Sequence, residues 1–364
     1  IDQWTFVEAR ETTPEQVVRK IEEPEVRIVD ARRIVDLDRR RKPRPEKPRD
    51  DLSLDEELPR ARQTYARALD VTREFMADVR AGRQINVEKV REHLEDMIDS
   101  VFRNRSSLVA LLKLRTYDEY TFTHSLNVTA LALSIGRSVN LNREQLNALG
   151  LGAMFHDLGK TRVPEAILNK PGRLTDEEFA LMKEHPALGI QVLAERHHDL
   201  PSSVLQIVRH HHERLDGSGY PDGLSGGQLE PFIIISGICD VYDALSSDRV
   251  YHKALVPHEA LKVVFNLRGK HFPQVWVDRF VQCIGIYPVG TLVLLSTGDV
   301  GVVSEVNQAS LVRPVVRLIL DRKERPVAGV KYVDLNQMDN EGLDVADVLD
   351  PQKMRLDPAQ YFPV

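Results

Sequence analysis

The chain has 364 residues and a formal net charge of −6 at pH 7 with His counted as neutral. A chain of this length can bury a sizeable core, and it predicts two or three domains, one of them large. The acidic balance argues against a nucleic-acid-binding protein, although a local cluster of Lys and Arg can still capture a small anion.

Two cysteines are too few for a disulfide framework, so a reducing cytoplasm is the simpler location. No apolar run is long enough to span a bilayer and no signal peptide opens the chain, so we expect no membrane contact. Because the first residue is Ile1 rather than Met, the sequence is consistent with a fragment of a longer protein.

Residues 1–58 are predicted to form a mixed α/β N-terminal region that ends in a linker. Residues 14–21 favour a short helix, and residues 26–30 alternate as a strand does. Prolines and like charges favour an extended, solvated chain over residues 38–51. A basic arm for nucleic acid or acidic lipid is the alternative, but prolines interrupt the run and the protein as a whole is acidic.

Residues 59–116 are predicted to form a helical hairpin that connects to the next domain. Apolar residues recur with helical spacing over residues 65–79 and 87–101, and Gly82 interrupts the run. These apolar stripes can pack on the next domain or on a second subunit of a homodimer, and the sequence leaves both open.

Residues 117–286 keep helical patterning and are expected to form the large domain. The segment that begins at Thr121 places His124 on an apolar face, where a lone histidine is usually a hydrogen-bonded core residue. That face is shared with Val128, Leu131 and Ile135.

Three further helices present histidines at their ends. The helix over residues 146–155 carries His156 and Asp157 at its far end, where Gly159 can terminate it. Thr175 opens a capping box whose helix should finish near His185, because the following proline disfavours a helical residue before it. A helix that starts at residue 201 ends on the run His210, His211 and His212.

Residues 287–364 change to strand-like patterning. Runs rich in β-branched residues cover residues 292–295, 300–303 and 315–320, and a turn separates the first two. The predicted fold class is therefore mainly α, a helical bundle with a mixed α/β N-terminal region and a small C-terminal β appendage.

The chemistry is expected around His156 and Asp157. A histidine beside an aspartate brings a ring nitrogen and two carboxylate oxygens into one small volume, and the carboxylate can bridge two cations. Two adjacent residues are weak evidence, so the weight lies on the residues around them: His124, His185, His210, His211, His212, Glu213 and Asp240. We interpret this set as a dinuclear metal site that hydrolyses a phosphodiester, because two cations can activate a water and clamp phosphate oxygens. Imidazole and carboxylate suit Fe, Mn or Zn, whereas the lack of clustered cysteine excludes a thiolate site.

Two motifs carry a family resemblance. His156-Asp157-Leu158-Gly159-Lys160 and the longer run HHERLDGSGYP at residues 211–221 resemble the HD-GYP family, a bacterial branch of the HD-domain phosphohydrolases. The resemblance covers residues 117–286. It implies an all-helical fold for that domain, two divalent cations, for which we expect Fe or Mn, and hydrolysis of the bacterial second messenger cyclic di-GMP to pGpG and sometimes to GMP.

The resemblance also implies a ligand set. In the usual HD arrangement one metal is held by His124, His156, Asp157 and Asp240. Asp157 bridges to a second metal, which is held by His185, His211 and His212. His210 has no counterpart among the family's ligands, so we interpret it as a neighbour on the helix.

Three more residues are assigned roles by position. The family's lysine falls on Lys160 and implies a phosphate contact, with a solvated surface lysine as the alternative. Arg249 is a candidate for bidentate phosphate binding, with a structural salt bridge to Asp248 or Glu213 as the alternative. Asp243, one helical turn from Asp240, can orient a ligand histidine or pass a proton, and we favour the orienting role.

The tail of the second motif is expected to be a constrained surface loop, because it holds Pro221 and three glycines. In the family this loop is associated with diguanylate-cyclase domains. The resemblance therefore implies a possible GGDEF-domain partner that contacts the loop Gly219-Tyr220-Pro221.

One position departs from family members of a three-metal type, in which a glutamate stands four residues before the first histidine. That position is Tyr120 here, and a phenol is a poor ligand for a third divalent ion; Asp118 and Glu119 project from another side of a helix. We therefore expect two metals and pGpG as the main product. The alternatives are a non-catalytic or weakly active cyclic di-GMP sensor and a metal phosphohydrolase for another nucleotide, although the intact ligand set and Lys160 favour turnover.

Overall fold

A computed structural model describes residues 51–112, 120–196, 200–247, 254–307, 309–340 and 342–362. The short helix predicted at residues 14–21, the strand predicted at residues 26–30 and the linker over residues 38–50 lie outside the described residues.

The described chain begins as a succession of helices. In order they are α1 (Leu54–Arg80), α2 (Val87–Arg103), α3 (Ser107–Leu111), α4 (Tyr120–Ser138), α5 (Arg143–Phe155), α6 (Glu165–Leu168), α7 (Asp176–Met182), α8 (His185–Arg196), α9 (Ser202–His210), α10 (Pro231–Ser246), α11 (Pro257–Asn266) and α12 (Gln274–Ile284). A 3₁₀ turn, Leu158–Arg162, follows α5.

The C-terminal region adds a sheet and a last short helix. Its elements are β1 (Leu292–Leu295), β2 (Val300–Glu305), β3 (Val315–Leu320), β4 (Tyr332–Asp334), β5 (Val345–Val348) and α13 (Pro351–Met354). Within the described residues these strands form one antiparallel sheet in the order β4-β3-β2-β1-β5. The mainly α class with a small β appendage is thus confirmed.

The first helix starts earlier than the periodicity indicated. The Ser53 hydroxyl accepts a hydrogen bond from the Glu56 backbone N–H, and the Glu56 carboxylate accepts one from the Ser53 N–H. This capping box begins α1 at Leu54, so that Pro59 lies inside the helix instead of at its start. The reason is local polar capping, which a search for apolar periodicity does not detect.

The apolar stripe of α1 packs on the large domain of the same chain. The Phe75 ring meets the Phe155 ring edge-on, with centroids 5.5 Å apart. The Tyr65 hydroxyl donates to Asn127 Oδ1 at 2.5 Å. These contacts join α1 to α4, which contains His124, and to α5, which directly precedes His156.

The helices that present the candidate ligands agree with their prediction. His124 and the apolar residues expected on its face are buried in α4. Thr175 caps α7 in a capping box, and α7 ends before His185. His185 is the first residue of α8, so Pro186 lies in a first turn, where proline is well tolerated.

The expected role of Gly159 as a helix terminator is wrong. Helix α5 has already ended at Phe155, and Gly159 lies within the 3₁₀ turn. A Cβ at this position would lie 1.9 Å from the His185 carbonyl oxygen and 2.4 Å from the Gly189 nitrogen. The glycine is needed because the backbone of α8 passes directly against this turn.

The three strands predicted from β-branched runs are confirmed as β1, β2 and β3. Strands β4 and β5 were not predicted, because they are short, mostly unburied edge strands. Among the helices described above, none combines the length and the apolar character that crossing a bilayer requires.

Candidate metal centre

The predicted ligands are carried by separate elements that meet in the interior of the large domain. His124 lies in α4, His185 begins α8 and Asp240 lies in α10, while the other four directly follow helix ends. None of the seven is more than 8% exposed; they are His124, His156, Asp157, His185, His211, His212 and Asp240. The structure therefore brings together the seven ligands that the family resemblance implied.

Their donor atoms form two groups, each able to hold a metal ion and each with its donors within 4.8 Å of one another. The first group contains Asp157, His185, His211 and His212. The second group contains His124, His156 and Asp240. Every donor in both groups is an imidazole nitrogen or a carboxylate oxygen, a set that suits borderline and hard divalent cations.

Asp157 lies between the two groups and presents a different oxygen to each. Its Oδ1 is 3.4 Å from His185 Nε2 and 4.0 Å from His211 Nε2. Its Oδ2 is 3.6 Å from His124 Nε2 and 3.5 Å from His156 Nε2. This is the arrangement that a carboxylate bridging two cations requires.

Three of the histidine rings are oriented by a backbone carbonyl of the helix that precedes them. Nδ1 of His156, His185 and His211 lies 2.7, 2.8 and 3.1 Å from the carbonyl oxygen of the residue three positions earlier. Because a carbonyl can only accept, Nδ1 carries the proton and the lone pair is on Nε2. These Nε2 atoms face the centre, so the backbone selects the tautomer that a metal needs.

His124 is oriented by a carboxylate instead. Its Nδ1 lies 2.8 Å from Asp243 Oδ2, and its Nε2 lies 3.1 Å from Asp240 Oδ1. The buried Asp243 is itself in α10, one turn from Asp240. This contact would allow Asp243 to orient His124, the role that we favoured over proton transfer and that stays a prediction.

The protonation states of His156, His211 and Asp157 also suit metal binding, whereas a cation at His124 must displace a proton. Burial lowers the pKa of His156 and lowers that of His211 further, so both rings are neutral at pH 7. Burial opposes the charge on Asp157, but Lys160 and the surrounding histidines outweigh it and hold the pKa of this carboxyl well below its usual range. Burial also lowers the pKa of His124, but hydrogen bonds to Asp240 and Asp243 outweigh burial and raise the pKa to about 10.

Two buried polar atoms support the fit to cations. Among the described residues, Nε2 of His156 and Oδ1 of Asp157 have no hydrogen-bond partner. Leaving buried polar atoms unsatisfied costs about 1–3 kcal/mol each. His185 Nε2 also lies only 3.1 Å from His212 Nε2 and 3.3 Å from His211 Nε2. A divalent cation would satisfy these facing lone pairs at once.

Lys160 lies at this centre. Its Nζ donates to Asp157 Oδ2 at 2.7 Å, and its side chain is 23% exposed. The ammonium is thus held against the carboxylate between the two groups, unlike that of a freely solvated surface lysine.

Some predicted positions are not described, and one described position does not join the ligand groups. Arg249, Asp248, Asp118 and Glu119 are outside the described residues, and for Tyr120 only its place at the start of α4 is described. His210 belongs to neither ligand group, as expected, and its Nε2 lies 2.8 Å from Asp222 Oδ2.

The loop Gly219-Tyr220-Pro221, at the end of the second motif, is more buried than the predicted surface loop. Tyr220 is only 9% exposed, and its ring stacks on the ring of His212 at a centroid distance of 4.7 Å. A Cβ on Gly219 would lie 2.4 Å from Glu213 Cα, so this glycine lets the loop close onto the turn after α9. The sequence analysis missed this contact. The signal that could have suggested it is Glu213, an acidic residue that directly follows the run of three histidines.

Replacement of Asp243 tests the orienting contact. We expect Asp243→Ala to lower metal affinity by about 10–100-fold, as is usual when a partner that orients a ligand histidine is lost. Titration of the chelated protein with Mn²⁺ measures this. Asp99→Ala, which removes an exposed ion pair with Arg143, is the control and should bind as the wild type does. Wild-type affinity in Asp243→Ala would rule out the orienting role.

Comparison with known proteins agrees with this geometry. The family described as HD domain matches residues 92–274, half of the chain, and the family described as KOW domain associated with HD domain matches residues 292–356. A cyclic di-GMP phosphodiesterase of Pseudomonas aeruginosa is 37% identical over 286 residues, which cover 79% of this chain and 69% of that protein.

Two further similarities are more partial. A 3′3′-cGAMP-specific phosphodiesterase of Vibrio cholerae is 35% identical over 162 residues, covering 43% of this chain and 36% of that protein. The solved structure of an HDGYP protein from Bdellovibrio bacteriovorus shares the fold with a TM-score of 0.51 and 21% identity, covering 64% of this chain and 73% of that one. With its paired ligand groups and both signature motifs, the chain belongs to the HD-domain family, in its HD-GYP branch.

Proposed function

We propose that this protein is a metal-dependent phosphodiesterase that hydrolyses cyclic di-GMP to linear pGpG. The observation that carries the proposal is the placement of Asp157, whose two oxygens face two separate groups of buried ligands. The similarity to a cyclic di-GMP phosphodiesterase over most of the chain supports the choice of substrate.

The proposed cofactor is a pair of divalent cations, with Fe or Mn as the expected metals. When bound, they supply Lewis-acid activation of water and neutralise charge on the phosphate. His124, His156 and Asp240 would hold one, and His185, His211 and His212 would hold the other, with Asp157 shared between them. Asp243 holds His124 in its ligand orientation.

Lys160 is proposed to bind a phosphate oxygen. Its ammonium already lies beside the shared carboxylate, so a phosphate bound at the two groups would lie within its reach. Removal of a positioned donor of this kind lowers kcat by about 10²–10³-fold. Lys160 and Arg249 are the two cationic residues that we assign to substrate binding. Arg249 lies outside the described residues.

We expect Lys160→Met to reduce kcat/KM by about 10²–10³-fold while both metals are retained. The methionine keeps most of the length of the side chain without its charge. Steady-state hydrolysis together with metal analysis measures the two effects separately. Lys170→Met, which removes a half-buried ion pair with Glu178, is the matched control and should keep wild-type rates. An unchanged kcat/KM in Lys160→Met would contradict the phosphate contact.

The product is expected to be pGpG rather than GMP. Tyr120 stands where a three-metal member would carry glutamate, and if a third metal assists the second hydrolysis, its absence stops the reaction after one bond. Chromatography of the nucleotides formed with excess enzyme tests this. GMP as the principal product would contradict it.

A second candidate substrate is 3′3′-cGAMP, because a relative specific for that nucleotide matches the same region. A panel of cyclic di-GMP, 3′3′-cGAMP and cyclic mononucleotides, assayed anaerobically with Mn²⁺ or Fe²⁺, separates the candidates. The proposal predicts the highest kcat/KM for cyclic di-GMP. Tight binding of cyclic di-GMP without turnover would instead favour a sensor.

A GGDEF-domain partner at the loop Gly219-Tyr220-Pro221 is also proposed. Asp216, Ser218 and Asp222 are exposed on this loop, so they offer a polar surface, whereas Tyr220 faces inward. Loss of co-purification with a GGDEF protein on Ser218→Arg substitution would support this contact, and unchanged co-purification would contradict it.

A further inference from the structure

Glu213 is a buried acidic residue next to His212 that belongs to neither ligand group. It is only 2% exposed. Its Oε1 accepts the backbone N–H of Asp222 at 2.7 Å, and its Oε2 accepts that of Leu224 at 2.9 Å. Hydrogen bonds to an ionised acceptor are about twice as strong as neutral ones, so this carboxylate holds the far end of the loop firmly.

The loop makes further contacts with the same turn. The Tyr220 N–H donates to the His212 carbonyl oxygen at 3.4 Å. At Gly219 a Cβ would lie 2.5 Å from the Arg214 nitrogen and 2.6 Å from the His212 carbonyl oxygen. The loop backbone therefore lies directly on the turn that presents His212.

This placement brings an aromatic ring onto a candidate ligand. The Tyr220 ring lies nearly parallel to the His212 ring, with an interplanar angle of 26° and centroids 4.7 Å apart. The Nδ1 atom of His212 lies 3.8 Å from Asp240 Oδ2. The ring of His212 also contacts the rings of His211 and His185, with centroids 4.0 and 4.9 Å away. Unlike these two rings, the stacked Tyr220 ring is not a candidate ligand.

We propose that Glu213 and Tyr220 are positioning residues for His212. Glu213 holds the loop, the loop places the Tyr220 ring, and the ring keeps His212 Nε2 facing the group of Asp157, His185 and His211. The inference rests on the proposed binding of two metals. It gives Glu213 a positioning role that is distinct from catalysis and from metal coordination.

Loss of either residue should affect one metal site more than the other. Groups that orient a ligand histidine typically contribute about 10–100-fold in metal affinity. The second group, with His124, His156 and Asp240, has other orienting contacts, to Asp243 and to the Ala153 carbonyl oxygen. We therefore expect metal affinity to fall at the site that contains His212 and to stay unchanged at the other site.

The test is titration of the full, chelated chain with Mn²⁺, with free Mn²⁺ followed by electron paramagnetic resonance. The wild type should bind two ions. Glu213→Ala and Tyr220→Leu should each weaken one site by about 10–100-fold and leave the other unchanged. Tyr220→Phe keeps the stacked ring and should bind as the wild type does, and Glu213→Gln, which keeps one acceptor oxygen, should fall between.

A matched control separates positioning from general destabilisation. Glu57 is equally buried, and its carboxylate accepts from Arg103 Nε at 2.7 Å and Ser100 Oγ at 2.8 Å in the α1–α2 hairpin. Glu57→Ala should lower Tm without changing either Mn²⁺ affinity. If Glu213→Ala does not fold, the comparison of Tyr220→Leu with Tyr220→Phe decides.

Wild-type affinities at both sites in Glu213→Ala and Tyr220→Leu would overturn the inference. Equal weakening of both sites, or the same loss in Tyr220→Phe as in Tyr220→Leu, would also overturn it. Failure of the wild type to bind two Mn²⁺ ions is a different outcome, because it would overturn the proposed metal pair and this inference with it.

Discussion

Replacement of Asp157 by Ala is expected to abolish phosphodiester hydrolysis and to release both cations. This carboxylate presents one oxygen to each group of ligands, so neither site keeps its full donor set without it. Each bound cation would contribute several kcal/mol to stabilising the transition state, so loss of both would correspond to a decrease in kcat of at least about 10³-fold. Metal analysis of the purified variant and single-turnover assays measure the two losses.

A second aspartate provides the control. Asp278, whose carboxylate pairs with Arg268 at 3.3 Å, is also mostly buried, but it lies in α12 and belongs to neither ligand group. Asp278→Ala should lose stability but keep metal and turnover. If Asp157→Ala retained two metals and measurable turnover, Asp157 would not be the shared ligand.

The Gly159→Ala variant is expected to show the largest loss of stability. The added Cβ would lie 1.9 Å from the His185 carbonyl oxygen and 2.4 Å from the Gly189 nitrogen, both of them backbone atoms that cannot move aside alone. Relief of this overlap requires α8 to shift together with His185. We expect the free energy of unfolding to fall by about 4 kcal/mol or more, in the range seen only for severe core defects.

Chemical denaturation followed by circular dichroism measures this loss, and Gly227→Ala is the matched control. Gly227 has no heavy atom within 4 Å of a built Cβ, so its replacement should change the free energy of unfolding little. Equal stabilities of the two variants would show that α8 does not pack against this turn as described.

The family resemblance, and not helical periodicity alone, indicated which residues meet at the centre. The apolar face of α4 and the ends of α5 and α9 follow from local pattern, and the histidines and aspartates converge as the resemblance implied. What local pattern does not encode is contact between segments distant in sequence. The approach of Gly159 to α8 is such a contact, and so is the stacking of Tyr220 on His212.

The same limit explains the other differences. The sequence left open whether the α1 stripe packs within the chain, and the contact between Phe75 and Phe155 shows that it does. Helix α1 begins at a polar cap, and strands β4 and β5 are mostly unburied, so apolar periodicity indicates neither. The roles of Arg249 and Tyr120 stay predictions, since their side chains lie outside the described part of the chain.

The most direct measurement is anomalous diffraction from crystals of the protein soaked in Mn²⁺. The account predicts two peaks on either side of the Asp157 carboxylate, one among His185, His211 and His212 and the other among His124, His156 and Asp240. A single peak, or none at these side chains after soaking, would contradict a dinuclear centre.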